Sequence, residues 1–158
     1  MNEDNQAREK FLITLDWLLA LNERYENAVR YGLLHVCFHG KQQLGNAYGA
    51  QHAATMLINL AAKLRKAFRT TDLVARDGTD FWILIPYTDP KTVIEKVSQL
   101  VEISSESGLD IVDRDLAFFN TENISANKPA VSVGAQAYLE HLRKNRTVSH
   151  RWEPHRVG

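Results

Sequence analysis

Three side chains with metal-binding chemistry, His35, Cys37 and His39, stand at alternate positions of one short apolar run, Leu33 to His39. Alternate residues of an extended strand share a face, so two imidazoles and a thiol are expected on one side of it. With Asp80 nearby, Cys37 and His39 offer the donors that zinc or another transition metal prefers. The set has no clear fourth ligand, and a strand lying under a helix takes His35 into the core instead. A second group is Arg69-Thr70-Thr71-Asp72, a forked cationic donor three residues before a carboxylate acceptor. Its plain reading is a cation at a helix C-terminus followed by a turn aspartate. A third is Arg76-Asp77-Gly78-Thr79-Asp80, two carboxylates about a glycine between apolar runs.

The elements that must carry these groups follow from periodicity. Phe11, Leu12, Leu15, Leu18, Leu19, Tyr25 and Val29 recur at three- and four-residue spacings, which predicts a helix over Glu9 to Tyr31 stopped by Gly32. Leu33 to His39, bounded by Gly32 and Gly40, reads as a mostly buried strand. Residues 40–49 hold Gly40, Gly45 and Gly49 and read as a loop. A second amphipathic helix from Gln51 to Phe68 aligns Met56, Leu57, Leu60, Leu64 and Phe68. Asp72 to Arg76 and Asp80 to Tyr87 form two strand-like runs joined by Asp77-Gly78-Thr79, a hairpin signal. Asp89-Pro90 supplies an N-cap and first residue for a third helix to about Val101. Ser104, Ser105, Ser107 and Gly108 should break it. Ile111 to Phe119 reads as another strand, Asn120 to Pro129 as a polar loop, and Ala130 to Tyr138 as an alternating strand. The expected fold is an α/β (α+β) sandwich with a mixed sheet flanked by helices. It comprises a flexible N-terminus over 1–10, one domain over 11–142 and a basic tail over 143–158.

At the second helix and its hairpin the sequence resembles the GGDEF family, the diguanylate cyclases. Phe68-Arg69-Thr70-Thr71-Asp72-Leu73-Val74-Ala75-Arg76, Asp77-Gly78-Thr79-Asp80-Phe81 and Trp82-Ile83-Leu84-Ile85-Pro86 follow that family's order of motifs. Tyr48-Gly49 is similar to the pair before its second helix, and Val131-Ser132-Val133-Gly134 to a later strand. The resemblance covers roughly residues 11 to 138. It implies a nucleotidyl-cyclase-like sheet, with the end beyond the Ser-x-Gly strand shortened or divergent.

The same resemblance implies a site in which several residues are changed. Such a cyclase holds magnesium, a hard cation that takes oxygen ligands, at an aspartate ending the first strand and at a glutamate of the hairpin signature. Cys37 and His39 stand at the strand positions here, and Gly45 and Asn46 where guanine is read. In the hairpin, Asp77 and Gly78 stand for the paired glycines and Thr79 and Asp80 for the acidic pair, with Phe81 kept. A carboxylate at the first glycine repels a triphosphate that should approach the backbone closely. The stretch from Arg76 to Phe81 is also one residue shorter, and a one-residue change in a hairpin inverts which face a side chain takes. On these grounds the chain is expected not to be an enzyme and to need no cofactor, Mg²⁺ entering only with residual cyclase activity. Arg69 and Asp72, with Arg76 assisting, match the family's inhibitory site for cyclic di-GMP. The leading expectation is a catalytically inactive cyclic di-GMP receptor; the alternative is a dimerisation or protein-docking module without nucleotide.

Composition limits the remaining choices. Lys plus Arg and Asp plus Glu are both 19, a balance that argues against general nucleic-acid binding. A single cysteine forms no internal disulfide and fits a reducing, cytoplasmic setting. No apolar run reaches membrane-spanning length, and Met1 to Lys10 lacks a signal-peptide layout. The expected partners are cyclic di-GMP and a homodimer mate or signalling protein. Trp17, Trp82 and Phe118-Phe119 read as core or interface aromatics, and His52 as a surface or capping residue.

Overall fold

The structure is a computed structural model and describes residues 3–26, 29–38, 49–86, 89–109, 116–121, 134–144 and 150–151. Its elements are α1 (Glu3–Tyr25), β1 (Gly32–Cys37), α2 (Ala50–Ala67), β2 (Leu73–Asp77), β3 (Asp80–Ile85), α3 (Pro90–Glu106), β4 (Leu116–Asn120), α4 (Ala135–Lys144) and β5 (His150–Arg151). The strands form one sheet in the order β2-β3-β1-β4-β5. The expected sandwich is present, and each described strand pair in the sheet is antiparallel.

Strand alternation divides the core in two. Leu34, Val36, Phe81, Ile83, Ile85, Leu116 and Phe118 face α2 and α3, meeting Leu57, Leu60, Leu64, Val97 and Leu100. Leu33, Ala75, Trp82, Leu84, Ala117 and Phe119 face α1 and α4, meeting Phe11, Leu15, Leu18, Tyr138, Leu139 and Leu142. Burying one such Leu or Phe contributes about 1.5–3 kcal/mol, so both helical layers are held by the sheet between them. Trp82 and Phe118-Phe119 are core aromatics as expected, whereas Trp17 is 60% exposed on α1.

Several boundaries differ from the sequence reading. Helix α1 starts at Glu3, within the stretch expected to be flexible, and ends at Tyr25 rather than Tyr31. Glu26 takes a left-handed φ of 44°, and the Asn22 side chain grips both backbone groups of Val29. These contacts stop the helix before Gly32, which joins β1. Asp89 caps α3 as read, its Oδ1 accepting from Thr92 N–H at 2.7 Å. The helix runs past the expected break, burying Ser104, and ends where Gly108 takes φ +83°.

The largest departure is at Ala135 to Tyr138, read as strand and found as helix. Ala135, Tyr138, Leu139 and Leu142 fall on one buried face of α4. The helix is held at its start by Ala135 N–H donating to Asp16 Oδ1 at 2.7 Å. Residues 130–133 of that expected strand lie outside the described residues, as do 111–115 of the strand expected over Ile111 to Phe119. Arg143, expected to open a tail, sits in the last turn of α4, and His150–Arg151 adds a short strand beside β4. A helix and a final strand therefore follow the region where the sequence showed neither.

Candidate functional site

The β2–β3 hairpin and the start of α2 frame a cleft. Asp77 pairs with Asp80 across the hairpin, leaving only Gly78 and Thr79 in the loop. Gly78 has φ +63° while Thr79 does not enter the left-handed region. A two-residue loop with positive φ at its first central residue favours glycine there. The tight turn brings Gly78, Thr79 and Arg76 opposite Ala50, Ala53, Ala54 and Leu57 of α2, enclosing about 330 Å³. Ligand pockets for small molecules begin near this volume. The α2 wall is built of small apolar side chains, so a flat ring can lie against it. Arg76 and the Gly78–Thr79 backbone supply the polar edge.

Asp80 turns to the other face of the sheet. It stands across from Cys37 on β1 and shares its face with His35 and Trp82. His35 is fully buried, stacks on Trp82 with ring centroids 4.2 Å apart, and places Nε2 2.9 Å from Asp80 Oδ1. Arg143 of α4 brings Nε to 3.3 Å from Oδ2 and also pairs with Glu140. Burial alone would raise the Asp80 pKa. The His35 hydrogen bond, the charges of His35 and Arg143, and a Cys37 contact outweigh it and hold the carboxyl below its ordinary range. The stability this group contributes is thus present above the unfolded carboxylate value, about 3.9, and is lost as pH falls through the lower folded value. Asp80→Asn is expected to flatten that acid limb of a melting-temperature profile relative to wild type. An identical acid limb in both proteins would remove Asp80 from this role.

The remaining sequence candidates are dispersed. Cys37 is half-buried, its Sγ 3.9 Å from Thr79 Oγ1. His39, Gly45 and Asn46 lie outside the described residues, so the zinc grouping of Cys37, His39 and Asp80 does too; no metal-binding cluster occurs among the described residues. His35 belongs to the core and to Asp80. Asp77 is exposed and 3.9 Å from Arg8. His52 is exposed on α2.

The Arg69–Asp72 turn is closed by its own hydrogen bonds. Asp72 N–H donates to Arg69 O at 2.9 Å, and Arg69 N–H donates to Asp72 Oδ2 at 3.3 Å. The same carboxylate forms a buried ion pair with Lys96 of α3, whose ammonium also lies 4.9 Å from the Phe68 ring centroid. Asp72 is therefore committed to the fold, while Arg69 remains exposed. Arg76 likewise has partners, Asp4 and the Gly78 carbonyl. Sequence reasoning missed Asp4 and Lys96 and placed Arg143 in a basic tail, since each is joined to its partner by the fold. It also missed the α2 wall, although Ala50, Ala53, Ala54 and Leu57 have helix-face spacing.

The sequence matches the family described as "Diguanylate cyclase, GGDEF domain" over residues 8–141. The chain belongs to the GGDEF family. No curated protein matches it. Among solved structures, this GGDEF domain is similar to the GGDEF domain of YfiN (TpbB) from Pseudomonas aeruginosa, with 18% identity, TM-score 0.58 and coverage of 90% of this chain and 91% of that one. It is also similar to the GGDEF domain of DgcB from Caulobacter crescentus in complex with c-di-GMP, with 17% identity, TM-score 0.56 and coverage of 89% and 85%. The active GGEEF domain of a diguanylate cyclase from Vibrio cholerae gives 13%, 0.55, and 88% and 92%. At these identities the likeness establishes the fold.

Membership overturns the expectation that the chain is not an enzyme, because the matching family is that of the diguanylate cyclases. The residue changes noted in the sequence do not take the domain out of that family. The magnesium that the family implies does not fit the described surroundings of Asp80. Both its oxygens already meet His35 and Arg143, and its strand neighbour is a thiol, a poor donor for a hard cation. No helix among the described residues is long and apolar enough to cross a membrane.

Proposed function

We propose that this GGDEF domain is a guanine-nucleotide-binding module of cyclic di-GMP signalling that takes GTP in the cleft between α2 and the β2–β3 hairpin. The cleft itself carries this reading: about 330 Å³, an apolar wall of Ala50, Ala53, Ala54 and Leu57, and Arg76 with Gly78 and Thr79 opposite. A purine ring suits the alanine wall. Phosphate oxygens suit the guanidinium, a forked donor for such groups. A second cavity near the hairpin, lined by Arg8, Asp77 and Asp80 among others, holds about 20 Å³, enough for about one water and no nucleotide. Titration calorimetry with GTP, with cyclic di-GMP formation assayed in parallel, tests the proposal. Saturable one-site binding in the micromolar range is expected. No heat up to millimolar GTP would remove the reading.

A second reading, favoured by the exposed Arg69 on a hydrogen-bonded turn, is that cyclic di-GMP binds there. Arg69 would then grip guanine or phosphate while Asp72 only shapes the turn. Arg69→Ala should weaken cyclic di-GMP binding by about tenfold, the scale of one charged hydrogen bond, and leave GTP binding alone. Equal affinity in both proteins counts against this second site.

A further inference from the structure

Arg76 is held between two parts of the fold. Its Nε donates to Asp4 Oδ2 at 2.9 Å and its Nη1 donates to the Gly78 carbonyl at 2.8 Å. Asp4, in the first turn of α1, is a buried carboxylate. Its other oxygen, Oδ1, lies 3.0 Å from Arg65 Nη2 of α2 in an ion-pair position but receives no directed hydrogen bond. One buried carboxylate thus gathers an arginine from β2 and another from α2, and Arg76 also lines the cleft.

We propose that Arg76 is the anion-binding residue of this cleft and that it changes partner, holding Asp4 when the cleft is empty and a nucleotide phosphate when it is filled. The inference rests on the reading that a nucleotide occupies the cleft. A phosphate competes with Asp4 for the same guanidinium, since both are oxygen anions suited to its fork. Asp4 can yield Arg76 because Arg65 stays beside it and keeps the buried charge compensated. Losing the tie between Asp4 and β2 loosens the first turn of α1. By linkage, anything that draws Asp4 from Arg76 strengthens nucleotide binding to the same degree. The N-terminal helix and the cleft are then coupled through one side chain.

Two measurements test the exchange. In wild-type protein, GTP should speed amide hydrogen exchange at residues 7–10, whose hydrogen bonds close the first turn of α1. In calorimetry, Asp4→Asn should bind GTP about fivefold more tightly and Arg76→Gln at least about tenfold more weakly. The double variant should bind no more tightly than Arg76→Gln alone. Exchange that is unchanged or slowed by GTP overturns the proposal, as does an Asp4→Asn affinity equal to wild type. Failure of wild type to bind GTP overturns the functional reading and this one with it, whereas binding that ignores Asp4 overturns the coupling alone. Should Asp4→Asn not fold, the wild-type exchange measurement decides.

Discussion

Asp72→Ala is expected to lower the unfolding free energy by about 3–5 kcal/mol, the range for removing one partner of a buried ion pair. The Asp72 and Lys96 side chains are 3% and 10% exposed, so neither charge has water to fall back on. Among the described residues Lys96 then keeps the face of Phe68, and a cation over a ring recovers about 0.5–2 kcal/mol at best. The turn also loses its Arg69 N–H acceptor. Replacing both partners, as in Asp72→Leu with Lys96→Met, should recover most of the loss because the buried charge disappears with its mate. Urea unfolding of the three proteins checks this, and a loss below about 1 kcal/mol in Asp72→Ala, the level of an exposed pair, contradicts it. Weaker cyclic di-GMP binding in Asp72→Ala would therefore report a damaged turn. Arg69→Ala is the cleaner probe of contact.

The second large effect concerns the cleft. Ala54 is exposed on α2 and faces Gly78 and Thr79 across the cavity. Ala54→Trp places an indole where the base should lie, without overpacking the core. The cost to the helix is about 0.5 kcal/mol from lower propensity, so the protein should remain folded. GTP binding is expected to fall by at least about a hundredfold, corresponding to about 2.7 kcal/mol. Unchanged affinity in a folded Ala54→Trp protein would place the nucleotide elsewhere.

Much of the fold was legible because local signals and tertiary demands agree. Helix α2, the hairpin and the start of α3 carry strong periodicity, a glycine suited to its turn, and an Asp-Pro cap, and all three were read to within a few residues. The ends were harder. Glu3 and Asp4 look like a polar, frayed terminus, yet Asp4 is buried by arginines from β2 and α2. No local pattern announces that. Alternation in Ala130 to Tyr138 suggested a strand, although Ala135, Tyr138, Leu139 and Leu142 also carry helical spacing, and the helical pattern governs α4. The site was legible in its residues more than in their roles. The altered hairpin was found by comparison with the family pattern, but the facing of Asp80 required its pairing with Cys37. The commitment of Asp72 required Lys96, and the non-enzyme expectation gave several residue changes more weight than family membership.

The most direct measurement is a backbone amide chemical-shift map of the ¹⁵N-labelled protein titrated with GTP. The largest shifts are expected on Ala53, Ala54, Gly78 and Thr79, on both sides of the cleft, and should saturate together. Shifts centred instead on Arg69 to Asp72, or no shifts at millimolar GTP, would contradict a nucleotide site in the cleft.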